Sequence, residues 1–351
     1  MIERSHPNTK TARHTAAPPR RHAGARTLAL AAVLAGSAAL TQAAGTVGSS
    51  LPENFPVIED ASLGRPVIGF GAAGPLQRTP VIFLHGNNDT PYPTACSRYG
   101  NAQAFAQHLA NSGWALSELW GLGYQGDQCN LAADQTQRSR IGHSNQANVP
   151  DLRRFVAAVL AYTGASKVDI VAHSLGVTLA REWMRQDGAH HQVRRFVAVD
   201  GPNRGIINCS PSPLNYFQAA SQGGFTPASE VCQELGSPNT PFLKRLNAAD
   251  EAGWYQPREI TPRPRVLVIR NTDASFVYMP LQDGFIPPVP AIDSLGQPTD
   301  FSRSASLKGA REIGLSGQGA YDPLLRTGHI GIFNSPQTWD LTVEFLSGHG
   351  R

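Results

Sequence analysis

Along the chain, short blocks of consecutive apolar residues alternate with longer stretches whose apolar residues recur every three or four positions. Blocks of the first kind suit a parallel sheet buried on both faces, and the stretches between them supply its covering helices. The pattern predicts strands over 80–84, 114–120, 167–172, 193–199 and 265–270, and helices over 101–112, 150–162 and 337–346. In the helix over 150–162, Leu152, Phe155, Val156, Val159 and Leu160 form one stripe, with Pro150 in the first turn. Gly113 is placed to end the helix before it. The expected fold class is α/β: a mostly parallel central sheet with helices on both faces.

Two stretches break this rhythm. Residues 201–261 are rich in Pro, Asn, Ser and Gly and carry Tyr216, Phe217, Phe225, Trp254 and Tyr255. Long irregular segments in compact domains are commonly functional. Residues 205–261 are therefore read either as an insertion packed by its own aromatics or as a cap beside a substrate site. The second stretch, 283–306, contains Phe285-Ile286-Pro287-Pro288-Val289-Pro290.

The N-terminus changes the reading of charge. Residues 1–43 hold six basic side chains, Glu3 as their one acidic partner, and an apolar run over 27–40 followed by Thr41-Gln42-Ala43. That is the layout of a secretory signal peptide, and the run is too short to span a bilayer comfortably. Without it, the formal charge of +4 becomes about −1, so the basic balance belongs to the leader and predicts no nucleic-acid partner. The expected product is a secreted, extracellular or periplasmic monomer of residues 44–351, with no integral membrane association. Its four cysteines, Cys96, Cys129, Cys209 and Cys232, suit disulfides in an exported chain. Three connectivities are possible, of which Cys96–Cys129 with Cys209–Cys232 staples the two loop-rich segments. Neither Cys-x-x-Cys nor paired-histidine spacing occurs, so no metal site is expected.

The candidate chemistry lies in Val168-Asp169-Ile170-Val171-Ala172-His173-Ser174-Leu175-Gly176-Val177. An apolar strand runs into a serine with small residues two before and two after it, and a helical run follows. This is the context of a nucleophile elbow, whose sharp turn lifts the serine hydroxyl above the sheet. Serine needs a histidine base, and the histidine needs an orienting carboxylate. In the chain order Ser, acid, His, the base is His329, on the glycine-flanked loop Gly328-His329-Ile330-Gly331 before the last helix. For the acid, Asp283 in Asp283-Gly284-Phe285-Ile286-Pro287 is preferred, and Asp273 is second. Asp200 could serve only if the acid had moved one strand earlier, and is read instead as a turn residue beside Gly201-Pro202. Oxyanion donors are expected from the backbone N–H of Leu175, which opens the helix, and of Asn87 in His85-Gly86-Asn87-Asn88-Asp89. His85 is read as a structural hydrogen-bonding residue.

On these segments, 79–89 and 168–177, the chain resembles the α/β-hydrolase superfamily, specifically bacterial secreted lipases of class 2. Ala161-Tyr162-Thr163-Gly164 and Val193-Arg194-Arg195-Phe196 are also similar to an extracellular depolymerase of native poly(3-hydroxybutyrate). The resemblance covers roughly residues 79–205. It implies an α/β-hydrolase fold, a Ser174–Asp283–His329 triad, Asn87 and Leu175 as oxyanion donors, a lipid-like or polymeric ester substrate and no cofactor. Residues 205–261 match nothing in the depolymerase. The contrasting possibility, an inactive binding protein on a hydrolase scaffold, would be expected to lack the nucleophile or the base.

Overall fold

A computed structural model of the protein describes residues 45–97, 101–129, 141–210, 225, 228–251, 263–272, 291–322 and 327–348. The leader over 1–43 lies outside them. Nine strands are seen among these residues: β1 (Ile68–Phe70), β2 (Val81–Leu84), β3 (Leu119–Gly123), β4 (Val168–His173), β5 (Val193–Val199), β6 (Arg265–Asn271), β7 (Ala291–Ile292), β8 (Pro298–Thr299) and β9 (Arg311–Leu315). The helices are α1 (Asn101–Asn111), α2 (Asn145–Thr163), α3 (Leu175–Asp187), α4 (Glu230–Leu235), α5 (Pro241–Glu251), α6 (Gly328–Asn334) and α7 (Pro336–Ser347). Seven strands make one sheet in the order β1-β3-β2-β4-β5-β6-β9. Only β1, at the edge, runs antiparallel to its neighbour. This is the α/β-hydrolase architecture. β7 and β8 form a separate hairpin.

The apolar blocks are continuous because both faces of the sheet are covered. In β2, Ile82 and Leu84 join the apolar cluster containing α2 and α3, while Val81 and Phe83 join the cluster containing α1 and α7. Side chains alternate across a strand, so each block feeds two cores at once. Burying a large apolar side chain contributes about 1.5–3 kcal/mol, and all four β2 side chains are fully buried.

Two elements depart from the sequence pattern. The strand expected over 114–120 begins only at Leu119, and Leu116–Glu118 form a 3-10 turn. The cause is Glu118, whose buried carboxylate accepts from the backbone N–H groups of Ala115, Gln77 and Arg78 and pulls the chain around itself. The helix expected over 150–162 begins five residues earlier, which puts Pro150 inside it. Ser144 caps the helix, its hydroxyl accepting from Ala147 N at 3.3 Å. The backbone N–H groups of Asn145 and Gln146 donate to Glu234, from a segment distant in sequence. Glu234 is buried, and burial pushes its carboxyl above the usual carboxylate range.

Glu234 belongs to the segment read as an insertion. Its described part packs into the main core: Val231, Leu235, Phe242, Leu243 and Leu246 share the cluster of α2 and α3, and Phe225 packs against it, partly buried. Tyr216, Phe217, Trp254 and Tyr255 lie outside the described residues, as does the run 285–290. Disulfides join Cys96 to Cys129 and Cys209 to Cys232. No helix among the described residues is long and apolar enough to cross a membrane.

Candidate active site

β4 ends at His173, and the next residue, Ser174, turns the chain sharply into α3 with φ 51° and ψ −121°. Such a backbone is costly for a residue with a Cβ and persists only when its surroundings enforce it. Here the Ser174 N–H donates to Val199 O of the adjacent strand at 3.0 Å, and its carbonyl accepts from Val177 N at 3.0 Å. Gly176 is obligatory in this turn. A Cβ there would lie 2.6 Å from the His85 carbonyl oxygen and 2.9 Å from that of Leu84.

β5 repeats the device one strand over. Its last residue, Val199, is in register with His173, so Asp200 emerges beside Ser174, also with positive φ (49°). The Asp200 N–H donates to Ile269 O at 2.9 Å, and its Oδ1 accepts from Asn271 N at 2.9 Å. The other oxygen, Oδ2, lies 2.7 Å from His329 Nδ1, and His329 Nε2 lies 2.9 Å from Ser174 Oγ. The proton-bearing geometry is a relay: the serine O–H donates to Nε2, and Nδ1–H donates to the carboxylate. Asp200 is fully buried and His329 nearly so. Burial pulls the His329 imidazole down from 6.5 to about 3. It is therefore uncharged near neutral pH and able to accept a proton, while Asp200 stands ready to stabilise the charge that proton brings.

His329 opens α6 at its second residue, and its carbonyl accepts from His173 Nε2 at 2.8 Å. The His173 ring lies between those of His329 and Phe333, 4.8 Å from each. Burial lowers His173 to about 3, with the neighbouring His329 adding to the effect. His173 thus acts as a neutral strut against His329. Nothing in the sequence marks that role beyond its place next to the serine.

The loop after β2 passes close beside Ser174. A Cβ on Gly86 would lie 3.1 Å from Ser174 Cβ and 3.2 Å from His173 Nδ1, so the backbone passes directly beside the serine. Asn87 follows it, and Leu175 opens α3, where helix geometry leaves N–H groups without intrahelical acceptors. Beneath the loop, His85 is buried, its Nδ1–H donating to Gly86 O at 2.7 Å and its ring stacked on Tyr124 at 4.2 Å. Burial lowers it to about 4.

Four non-glycine residues among those described have positive φ: Asn88, Gln128, Ser174 and Asp200. They lie in the loops that follow β2, β3, β4 and β5, the four strands whose carboxyl ends meet here. Strained backbone gathers where function demands a fixed geometry.

Of the residues predicted from sequence, the structure thus brings Ser174 and His329 into hydrogen-bond contact and sets the Gly86–Asn87 loop against the serine. Asp283 and Asp273 lie outside the described residues. The carboxylate on His329 is Asp200, read from sequence as a turn residue. The signal that could have found it is the register of two adjacent strands, which no local motif carries. Among the described residues, no group of three or more His, Cys, Asp or Glu side chains could hold a metal ion.

The sequence model of a family described as lipase (class 2) matches residues 78–272, a span that includes Asn87, Ser174 and Asp200 and ends before His329. Among solved structures, the mature lipase BlEst2 of Bacillus licheniformis is similar at 15% identity and a TM-score of 0.49, covering 78% of this chain and 95% of that one. Lipase B of Aspergillus fumigatus is similar at 17% identity and a TM-score of 0.46, covering 84% of this chain and 58% of that one. A 2-hydroxy-6-oxo-6-phenylhexa-2,4-dienoate hydrolase from Rhodococcus is similar at 14% identity and a TM-score of 0.41, covering 83% and 99%.

Proposed function

Since the chain belongs to the class 2 lipase family and is a carboxylic-ester hydrolase, we propose that it cleaves lipid-like esters through an acyl-enzyme on Ser174. The observation that carries this reading is the unbroken relay from Ser174 Oγ through His329 to Asp200, at 2.9 and 2.7 Å. Ser174 Oγ attacks the ester carbonyl carbon while His329 Nε2 takes its proton. The carbonyl oxygen becomes an oxyanion held by the N–H groups of Asn87 and Leu175. Collapse of this intermediate expels the alcohol, which leaves with the proton from His329. Water then attacks the acyl group, giving its proton to His329, and the acid departs as His329 returns that proton to Ser174 Oγ. Asp200 holds the imidazole in the tautomer that keeps Nε2 facing the serine. The two disulfides and the 1–43 leader pattern support an exported product.

Hydrolysis of p-nitrophenyl esters from C2 to C16 tests the reading, with Ser174→Ala, Asp200→Asn and Asp283→Asn compared. Ser174→Ala should lose at least about 10³-fold in kcat, and Asp200→Asn about 10²–10⁴-fold. Asp283→Asn should stay within about threefold. A large loss at Asp283 with little at Asp200 would move the carboxylate role to Asp283. Activity retained in Ser174→Ala would remove the serine mechanism. A wild type inert on every soluble ester, yet clearing polyhydroxyalkanoate granules, would make the substrate a polymer.

A further inference from the structure

The turn Gly86–Asp89 beside Ser174 is weakly held by its own backbone. Its closing bond, Asp89 N to Gly86 O, is 3.3 Å, and Asn88 sits at φ 59°. Buried side chains from other segments hold it as well, among them Gln125 after β3 and His143 just before α2.

Gln125 grips the turn with both ends of its amide. Its Oε1 accepts from Asn88 N at 2.9 Å, and its Nε2 donates to Asn87 Oδ1 at 3.2 Å and to Gly142 O at 3.1 Å. Asn87 Oδ1 also lies 2.7 Å from His143 Nδ1. An amide oxygen can only accept, so His143 must carry its proton on Nδ1. The 3.5 Å approach of Gln125 Nε2 to the same nitrogen is then a contact between two donors and not a hydrogen bond. Burial lowers His143 to about 4, so near neutral pH its ring is uncharged, as the tautomer with the proton on Nδ1. Asn148, inside α2, anchors the far side by donating to Gly142 O and Ser144 O, both at 2.7 Å.

We propose that Gln125 and His143 are positioning residues that together set the Asn87 N–H against Ser174, so that one of the two oxyanion donors is aimed by side chains from two other segments. The proposal rests on the serine-hydrolase reading above. An oxyanion donor contributes only when it meets the tetrahedral oxygen at hydrogen-bond distance, and shifts of about 1 Å cost on the order of 10²-fold. The substrate in its ground state depends far less on that aim, so the loss should fall on kcat and leave KM nearly unchanged.

The test uses the full-length protein with Gln125→Ala, Gln125→Glu, His143→Ala and His143→Asn. Gln125→Glu keeps volume and the bond from Asn88 N but cannot donate to Asn87. His143→Asn can place an amide N–H near the position of Nδ1. We expect kcat to fall about 10²-fold in Gln125→Ala, Gln125→Glu and His143→Ala, with KM within about threefold, and His143→Asn to recover most of the loss. Inhibition by an alkyl boronic acid, which forms a tetrahedral adduct on the serine, should weaken in step with kcat/KM. Values of kcat within threefold of wild type in both the Ala and the volume-conserving variants would overturn the proposal. So would equal losses in His143→Ala and His143→Asn with inhibitor affinity unchanged. Ser174→Ala run alongside separates the outcomes: if it stays active the catalytic reading itself fails, and if it is inactive the result bears on Gln125 and His143 alone.

Discussion

The disulfide Cys96–Cys129 joins the loops that follow β2 and β3, across 33 residues, whereas Cys209–Cys232 joins the segment after β5 to α4, across 23. Loop closure alone would give each a similar worth, about 3 kcal/mol. Their surroundings differ. Cys209 and Cys232 are buried in the apolar cluster of α2 and α3, and two residues beyond Cys232 the carboxylate of Glu234 receives the first turn of α2. Cys96 is exposed and Cys129 half-buried, and the contacts around them are polar. Thr94 Oγ1 donates to Asp127 O at 2.7 Å, and Gln128 Nε2 donates to Asp89 O at 3.1 Å, at the end of the turn beside Ser174. The first bridge therefore steadies the loop beside Ser174, and the second fastens a buried wall. Crosslinks of equal entropy act on different properties because of what they are embedded in.

That contrast can be broken by substitution. The largest stability loss is expected from Glu234→Ala, which strips partners from the Ser144 hydroxyl and from the N–H groups of Asn145 and Gln146. Urea unfolding should show a loss of about 3–4 kcal/mol, with kcat/KM of the folded protein within threefold. Replacing Cys209 and Cys232 together by serine should cost about 3 kcal/mol and again spare kcat. Replacing Cys96 and Cys129 by serine should cost less stability, about 1–3 kcal/mol, because this bridge is partly exposed and lies outside the apolar cores. It should also lower kcat about tenfold. If the two double variants lose activity equally, the division between the loop beside Ser174 and the buried wall does not hold.

The smallest effect concerns pH. Asp151 in α2 accepts from Ala61 N at 3.1 Å and from Arg154, and burial, helped by the charge of Asp60, raises its carboxyl from 3.8 to about 6. The folded state prefers the protonated form, so this contribution is complete below about pH 3.8 and is lost as pH rises through about 6. Relative to Asp151→Asn, the wild-type Tm should therefore decline between pH 4 and 6. Parallel curves for the two proteins would contradict it.

Five of the sheet's seven strands were legible because each carries an apolar block, whereas β1 is only three residues long and β9 is polar at its start; Ser174 and His329 stood out because local glycines and chain order mark them. Other features depend on partners remote in sequence. Glu118 turns a strand-like run into a 3-10 turn by accepting from Gln77 and Arg78, about forty residues before it. Glu234 lengthens α2 from 89 residues away. Asp200 looked like an ordinary turn because its meaning lies in the pairing of His173 with Val199. Gln125 and His143 carry no motif at all. Each is an instance of tertiary contact deciding what local pattern leaves open.

Ser174 and Asp200 leave the sheet from hydrogen-bonded neighbours, so their separation is a property of the scaffold, independent of any loop. Only His329 arrives from elsewhere, by way of α6. Between Asp200 and Thr327 the chain can accordingly vary wherever β6, β9, the core-facing residues of α4 and α5, Glu234 and the seat of α6 are kept. Such a layout separates inheritance into two streams: the spacing of Ser174 and Asp200 descends with the sheet, while the path by which the chain returns to His329 can change around its anchor points.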